Sequence, residues 1–119
     1  MESLFERLGG RQPLHSLIDL FYYKMLLDPK LKRKFDGTNI ITLKEHQLEF
    51  MTYVFGGPGH AYPTGHLRTA HAGLHITNAD FDSTCAHLRD AMEEMAIDAA
   101  LIDEAMHIIN STRKDIVTT

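Results

Sequence analysis

Three segments place polar side chains where a helical pattern calls for apolar ones, and each is a place where chemistry could be done. From His66 to His75, the residues Leu67, Ala70, His71 and Leu74 recur at i, i+3, i+4 and i+7. His71 is therefore the one polar group on the inward face of a short helix. An imidazole there is either a hydrogen-bonded core residue or a ligand. The segment is too short and too poor in helix formers to order itself, and a metal–imidazole bond would supply a reason for it to be ordered. Behind Thr42, Leu43, Phe50 and Val54 fall within about 40° of one another on a helix. Gln47 lies in that arc, and His46 sits on its margin beside Phe50 and Tyr53. A buried amide or imidazole without a partner costs about 1–3 kcal/mol. These two groups therefore find internal partners, lie at a helix edge in water, or face something that is not protein core. Tyr22 stands at the edge of the stripe formed by Leu14, Leu17, Ile18, Phe21 and Met25. Its ring can bury while its hydroxyl needs a partner. Phe35 is a large aromatic on the short turn after Asp28-Pro29.

Other chemistries lack their residues. His71 and His75 at i, i+4 could share a zinc ion, but Ala72, Gly73 and Leu74 between them omit the glutamate of an H-E-x-x-H site. No G-x-S-x-G, Walker or G-x-G-x-x-G motif is present. The single cysteine, Cys85, excludes an internal disulfide and any multi-cysteine cluster. It lies mid-stripe on an expected helix and reads as a small hydrophobe, as Met92 and Met95 read as core.

The elements that must position these residues are helices punctuated by glycine and proline. Ser3 to Glu6 spells a capping box for a first helix stopped by Gly9-Gly10. Pro13 suits the first turn of a second, which Asp28-Pro29 ends. A short turn covers Lys30 to Phe35. Thr42 and Glu45 predict a capped helix running to Phe55 and stopping at Gly56-Gly57, followed by an irregular stretch to Gly65. Asn78 is expected to cap a helix carrying Phe81, Cys85, Leu88, Met92 and Met95 on one side. Asp98 is expected to cap a last helix, with Leu101 or Ile102, Ala105, Ile109 and Ile116 inward. No strand alternation competes, so the chain reads as all-α. Its 119 residues suit a single domain, 1–119. With 44% hydrophobic and 24% charged residues it is globular and not disordered. A net charge of −4 gives nucleic acid no electrostatic reason to bind. No apolar run approaches a membrane span, and the acidic start is unlike a secretory leader. The expectation is a cytoplasmic protein.

In order along the chain, these pieces resemble the truncated haemoglobins, the short two-over-two version of the globin fold, and specifically their first group. The resemblance starts at Leu4-Phe5-Glu6-Arg7-Leu8-Gly9-Gly10, continues through Phe21-Tyr22, Phe35 and His46-Gln47-x-x-Phe50, takes in Phe55-Gly56-Gly57-Pro58, and ends in Ala70-His71 with Asn78-x-x-Phe81. It implies a two-over-two helical sandwich enclosing haem b (iron protoporphyrin IX). His71 matches the proximal ligand of the iron, and Phe35 the aromatic that packs on the porphyrin. Tyr22 matches the distal tyrosine that donates to the gas ligand, and Gln47 a distal amide in the same network. Leu43 stands where larger globins often carry a distal histidine. His46 matches a variable position whose basic residue can swing in as a sixth iron ligand, or else lies in solvent near a propionate. Phe50, Met51 and Val54 match contacts at the haem edge, and Leu67 and Leu74 flank His71 on the proximal face. Tyr62, His66 and Arg68 match the region of propionate partners. The resemblance implies O2, NO and CO as ligands. The function implied is O2 binding or transport, or NO detoxification as a dioxygenase served by a separate reductase. A small helical interaction module without haem is the alternative outside this family. A monomer or weak dimer is expected.

Overall fold

The computed structural model describes residues 2–57 and 76–117, and among them every regular element is helical. Helix α1 (Leu4–Arg7) starts at Ser3, whose hydroxyl oxygen accepts from the Glu6 amide at 3.2 Å and donates to the Glu6 carboxylate at 3.3 Å. It stops as expected at Gly9, φ +104°, where the Gly9 and Gly10 amides donate back to the Glu6 and Phe5 carbonyls. Helix α2 (Arg11–Leu27) follows, and its apolar stripe of Leu14, Leu17, Ile18, Phe21, Tyr22 and Met25 is fully buried. Asp28 ends α2 and caps the next turn, α3 (Pro29–Lys32), with Pro29 in the first helical position. A single 3-10 turn, Arg33–Phe35, completes that corner.

Helix α4 (Ile40–Val54) begins two residues before the expected cap. Asn39, not Thr42, is its N-cap, with its side-chain oxygen accepting from the Thr42 amide at 3.2 Å. Its deepest residues also differ from expectation. Leu48, Met51 and Phe55 are the buried ones facing the rest of the protein, at about 80–140° around the helix from Leu43. Leu43 and Gln47 are half-buried and His46 is exposed. The helix thus has two inward arcs, one against the helices and one along a cavity, and the stripe read from sequence is the second. It closes at Gly56, φ +80°, and the Gly57 amide bonds the Thr52 carbonyl at 2.7 Å. A Cβ on Gly57 would come within 2.7 Å of the Phe5 ring. That close approach lets the Phe5 amide reach the Phe55 carbonyl at 2.9 Å and ties α1 to the end of α4.

Helix α5 (Asn78–Glu94) is capped by Thr77, one residue earlier than expected. The Thr77 hydroxyl and the Asp80 carboxylate close a reciprocal box on each other's amides at 3.0 and 3.1 Å. It ends in the same 6→1 pattern as α1 and α4, the Ile97 amide to the Met92 carbonyl at 3.1 Å, but the left-handed residue there is Ala96, φ +57°. Helix α6 (Ala99–Asn110) is capped by Asp98 as expected, and a last turn, α7 (Arg113–Ile116), follows. Of the two alternatives for its inward position, Ile102 is buried and Leu101 only partly so.

Helix α2 packs on α4 and on α5, and α5 packs on α6. This gives two helix pairs, α2 with α4 and α5 with α6, layered through the α2–α5 contact. Ion pairs fasten the layers at their edges. Lys24 of α2 bridges Asp90 and Glu94 of α5, and Arg7 reaches Glu104 of α6 at 2.7 Å. His87 Nε2 lies 2.8 Å from Asp28 Oδ2 and pins the α2–α3 corner to α5.

Candidate functional site

The two layers do not close on each other everywhere. Between them lies a cavity with about 1300 Å³ of empty space, counted out to solvent. Its walls come from α2 (Phe21, Tyr22, Met25), the α3 corner (Leu31, Lys34, Phe35), α4 (Leu43, His46, Gln47, Phe50, Met51), α5 (Phe81, Cys85, Leu88) and the C-terminal end (Ile109, Thr112, Ile116).

What the polar groups of these walls do distinguishes them. The threonine hydroxyls are turned onto their own backbone: Thr38 donates to the Phe35 carbonyl at 2.5 Å, Thr84 to Asp80 at 2.9 Å and Thr112 to Ile109 at 2.7 Å. With these hydroxyls spent on backbone carbonyls, the wall stays largely apolar. Asp80 accepts from the Thr77 amide and pairs with Lys34 at 3.4 Å; the backbone hydrogen bond and then the ammonium hold its carboxyl below the usual range. Cys85 is half-buried, and burial pushes its thiol up, so it stays a neutral thiol in the wall. By contrast the side chains of Tyr22, His46 and Gln47 make no hydrogen bond to any described residue. Tyr22 is the most enclosed of them, only 5% exposed. Desolvation raises its hydroxyl to about 12, so at any ordinary pH it is an O–H donor, without an acceptor among the described residues. Its ring is fixed from two sides, edge-on to Phe21 at 5.6 Å and tilted against Phe35 at 5.9 Å.

The sequence reading and the geometry can now be set side by side. Tyr22, Phe35, Leu43, His46, Gln47, Phe50 and Met51 converge on the one cavity. Val54 does not line it; it is half-buried against the core one turn further along α4. His71, with Leu67, Leu74, Tyr62, His66 and Arg68, lies outside the described residues. Sequence reasoning took Phe81, Leu88 and Ile109 as ordinary core. Periodicity reports that a residue is buried but not what it is buried against, and no local signal separates a cavity wall from a helix interface. Phe81 is held in that wall from behind. The Arg113 guanidinium lies 4.5 Å over its ring and donates to Asn78, Asn110 and Asp82. Among the described residues no cluster of histidine, cysteine and carboxylate side chains could hold a metal ion by itself. No described helix is long and apolar enough to cross a membrane.

The arrangement suits an apolar, plate-like group that fills the space and presents a hydrogen-bond acceptor to Tyr22 and Gln47. Comparison with known proteins agrees in kind. A family model described as bacterial-like globin matches residues 3–118. A group 1 truncated haemoglobin of Tetrahymena thermophila is 35% identical over 113 residues, covering 95% of this chain and 93% of that protein. The truncated haemoglobin of Tetrahymena pyriformis in its Fe(III) form superposes with a TM-score of 0.91 at 31% identity, covering 99% of this chain and all of that one. The 2/2 haemoglobin of Synechococcus sp. PCC 7002, solved with covalently attached haem, superposes equally well at 33% identity, covering 98% of each chain.

Proposed function

Because the chain belongs to the bacterial-like globins, and among them to the group 1 truncated haemoglobins with their two-over-two fold, we propose that it holds haem b in the cavity between its helix pairs and binds a diatomic gas there. One observation carries the reading: an apolar cavity lined by Tyr22, His46 and Gln47, whose side chains make no hydrogen bond among the described residues and come from the two helices of one layer. The residues present fit the group. Phe21, Phe35, Phe50 and Phe81 offer flat apolar surface. Burying several hundred Å² at about 25 cal/mol per Å² contributes on the order of ten kcal/mol toward retention. When bound, haem supplies a ferrous iron able to take O2, NO or CO.

The protein's part is positioning and hydrogen bonding. His71 is the residue that the family resemblance assigns to hold the iron. Tyr22 keeps its proton, because desolvation sets its hydroxyl at about 12. Tyr22 lines the cavity, and a hydrogen bond from its O–H to a partly negative acceptor held there is strong. Gln47 brings a second donor from α4, and its amide can turn to donate or accept. Leu43, next to Gln47 on the cavity side, excludes water without competing for the ligand. The role supported best is tight retention of O2. That favours oxidation of NO to nitrate over carriage, since a carrier must release its cargo. Such turnover draws electrons from a separate reductant.

Haem titrated into the apoprotein should give a Soret band saturating at one equivalent. A helical interaction module would give no such band. His46 stands exposed where α4 borders the cavity, within the sweep of a helix-surface side chain, and we assign it as the resting sixth ligand. On that assignment the ferric protein is low-spin at neutral pH and His46→Leu converts it to a high-spin spectrum. A wild-type spectrum already high-spin removes His46 from the iron.

A further inference from the structure

The corner between α2 and α4 carries a charge pattern that neither fold nor cavity requires. Lys30, Lys32, Arg33 and Lys34 put four of the chain's twelve basic side chains into five consecutive residues, in a protein whose net charge is −4. Elsewhere the cations are mostly neutralised. Arg7, Lys24, Lys44, Arg89 and Arg113 each pair with a carboxylate on another element, and Lys34 pairs with Asp80. Lys30, Lys32 and Arg33 are exposed and make no ion pair among the described residues. Of the two carboxylates that flank the run, Asp28 is occupied by the Lys30 amide and by His87, and Asp36 makes no ion pair with these cations among the described residues. Like charges three and four residues apart weaken a short helix, so these cations do not serve its stability. Leu31, 3% exposed, anchors the turn inward while its neighbours face water. Leu31, Lys34 and Phe35 are also cavity wall. The cationic surface is therefore the outer side of the corner whose inner side faces the proposed haem.

We propose that Lys30, Lys32 and Arg33 form the docking surface for an acidic one-electron donor protein. In the step served, the donor loses one electron and a ferric haem in the cavity becomes ferrous; no bond is made or broken. The proposal rests on the haem reading above. A redox encounter of this kind needs a small interface and a fast on-rate, which a compact cationic patch supplies by steering. The net charge of −4 opposes any anionic partner at long range, so attraction comes from the patch itself within about a Debye length, and it favours a compact partner that concentrates its negative charge at one corner.

The test uses the ferric holoprotein and reduced flavodoxin, an acidic one-electron donor, with reduction followed by stopped flow under CO. The expected second-order rate falls steeply as salt rises. Lys30→Glu, Lys32→Glu and Arg33→Glu together should slow it at least about tenfold at low salt and flatten the salt dependence. Reduction by dithionite should not change. Arg11→Glu, which reverses an exposed charge at the far end of α2 from the corner, should have a much smaller effect. Amide shifts on titrating oxidised flavodoxin into the holoprotein should map to the corner, a readout independent of turnover. An unchanged flavodoxin rate in the triple variant overturns the proposal, as does equal slowing with dithionite, which would mean the substitutions act on the haem pocket. Binding to phosphatidylserine vesicles that is lost in the triple variant, with flavodoxin reduction intact, overturns it in favour of a lipid surface. These failures occur in a protein that shows a normal Soret band, whereas failure of the haem reading removes the band itself.

Discussion

Tyr22→Phe should move stability and ligand retention in opposite directions. The substitution removes one oxygen from a side chain that is 5% exposed and leaves the ring contacts with Phe21 and Phe35 in place. Without a ligand, the hydroxyl has no partner among the described residues. A buried hydroxyl in that condition costs about 1–3 kcal/mol, and the low end applies because the cavity can admit water. The apoprotein should therefore gain about 1 kcal/mol in urea unfolding with its m-value unchanged. In the gas-bound protein the same oxygen donates to a partly charged acceptor, an interaction of roughly 1.5–3 kcal/mol, and O2 dissociation should accelerate about ten- to a hundredfold. The assay is displacement of O2 by CO in a stopped-flow instrument, beside apoprotein unfolding. An apoprotein destabilised by the substitution would mean that the hydroxyl has a structural partner. An unchanged O2 dissociation rate would remove Tyr22 from the ligand's surroundings. Either result refutes the reasoning.

Thr52 offers the same logic away from the site. Its Oγ1 is buried and without a hydrogen-bond partner, so the isosteric Thr52→Val should stabilise the protein by about 1 kcal/mol in the same unfolding assay, with O2 kinetics unchanged. Asp80 gives the pH dependence. Its folded carboxyl titrates below the usual aspartate range, so its contribution is complete above that range and disappears as pH falls through the lower folded value. Thermal midpoints of Asp80→Asn should accordingly fall less than those of the wild type on acidification below pH 4. Identical acid limbs would contradict the Thr77 and Lys34 contacts.

Much of the scaffold was legible because its signals are local. Gly9-Gly10, Asp28-Pro29 and Gly56-Gly57 interrupt helices for reasons of backbone geometry that no tertiary context overrides. Caps were legible only to within a few residues: Asn39 competes with Thr42, and Thr77 with Asn78, and the winner depends on where the preceding chain enters. Ala96 at φ +57° was not legible, since the sequence places no glycine where the left-handed residue falls. Helix α4 shows the deeper limit. Its pattern located an apolar arc interrupted by Gln47, but a second arc of Leu48, Met51 and Phe55 is the one that meets the other helices. One-dimensional periodicity cannot assign two arcs to two different neighbours. Gln47 was found as a functional candidate because it interrupts an apolar arc, whereas Tyr22 and Phe35 read by themselves as an interfacial tyrosine and a core aromatic, and only the resemblance to the family singled them out. Phe81, Leu88 and Ile109 break none, and so the far wall of the cavity was read as core.

The central claim is that the imidazole of His71 holds iron in this cavity. Absorption and resonance Raman spectra of the ferric, ferrous and CO forms, recorded for the wild type and for His71→Ala, test it most directly. The account predicts a histidine-ligated ferrous haem whose Fe–N(His) stretch is absent from the alanine variant, together with weakened haem retention. A variant that keeps the pigment with the same affinity and the same stretch would contradict it.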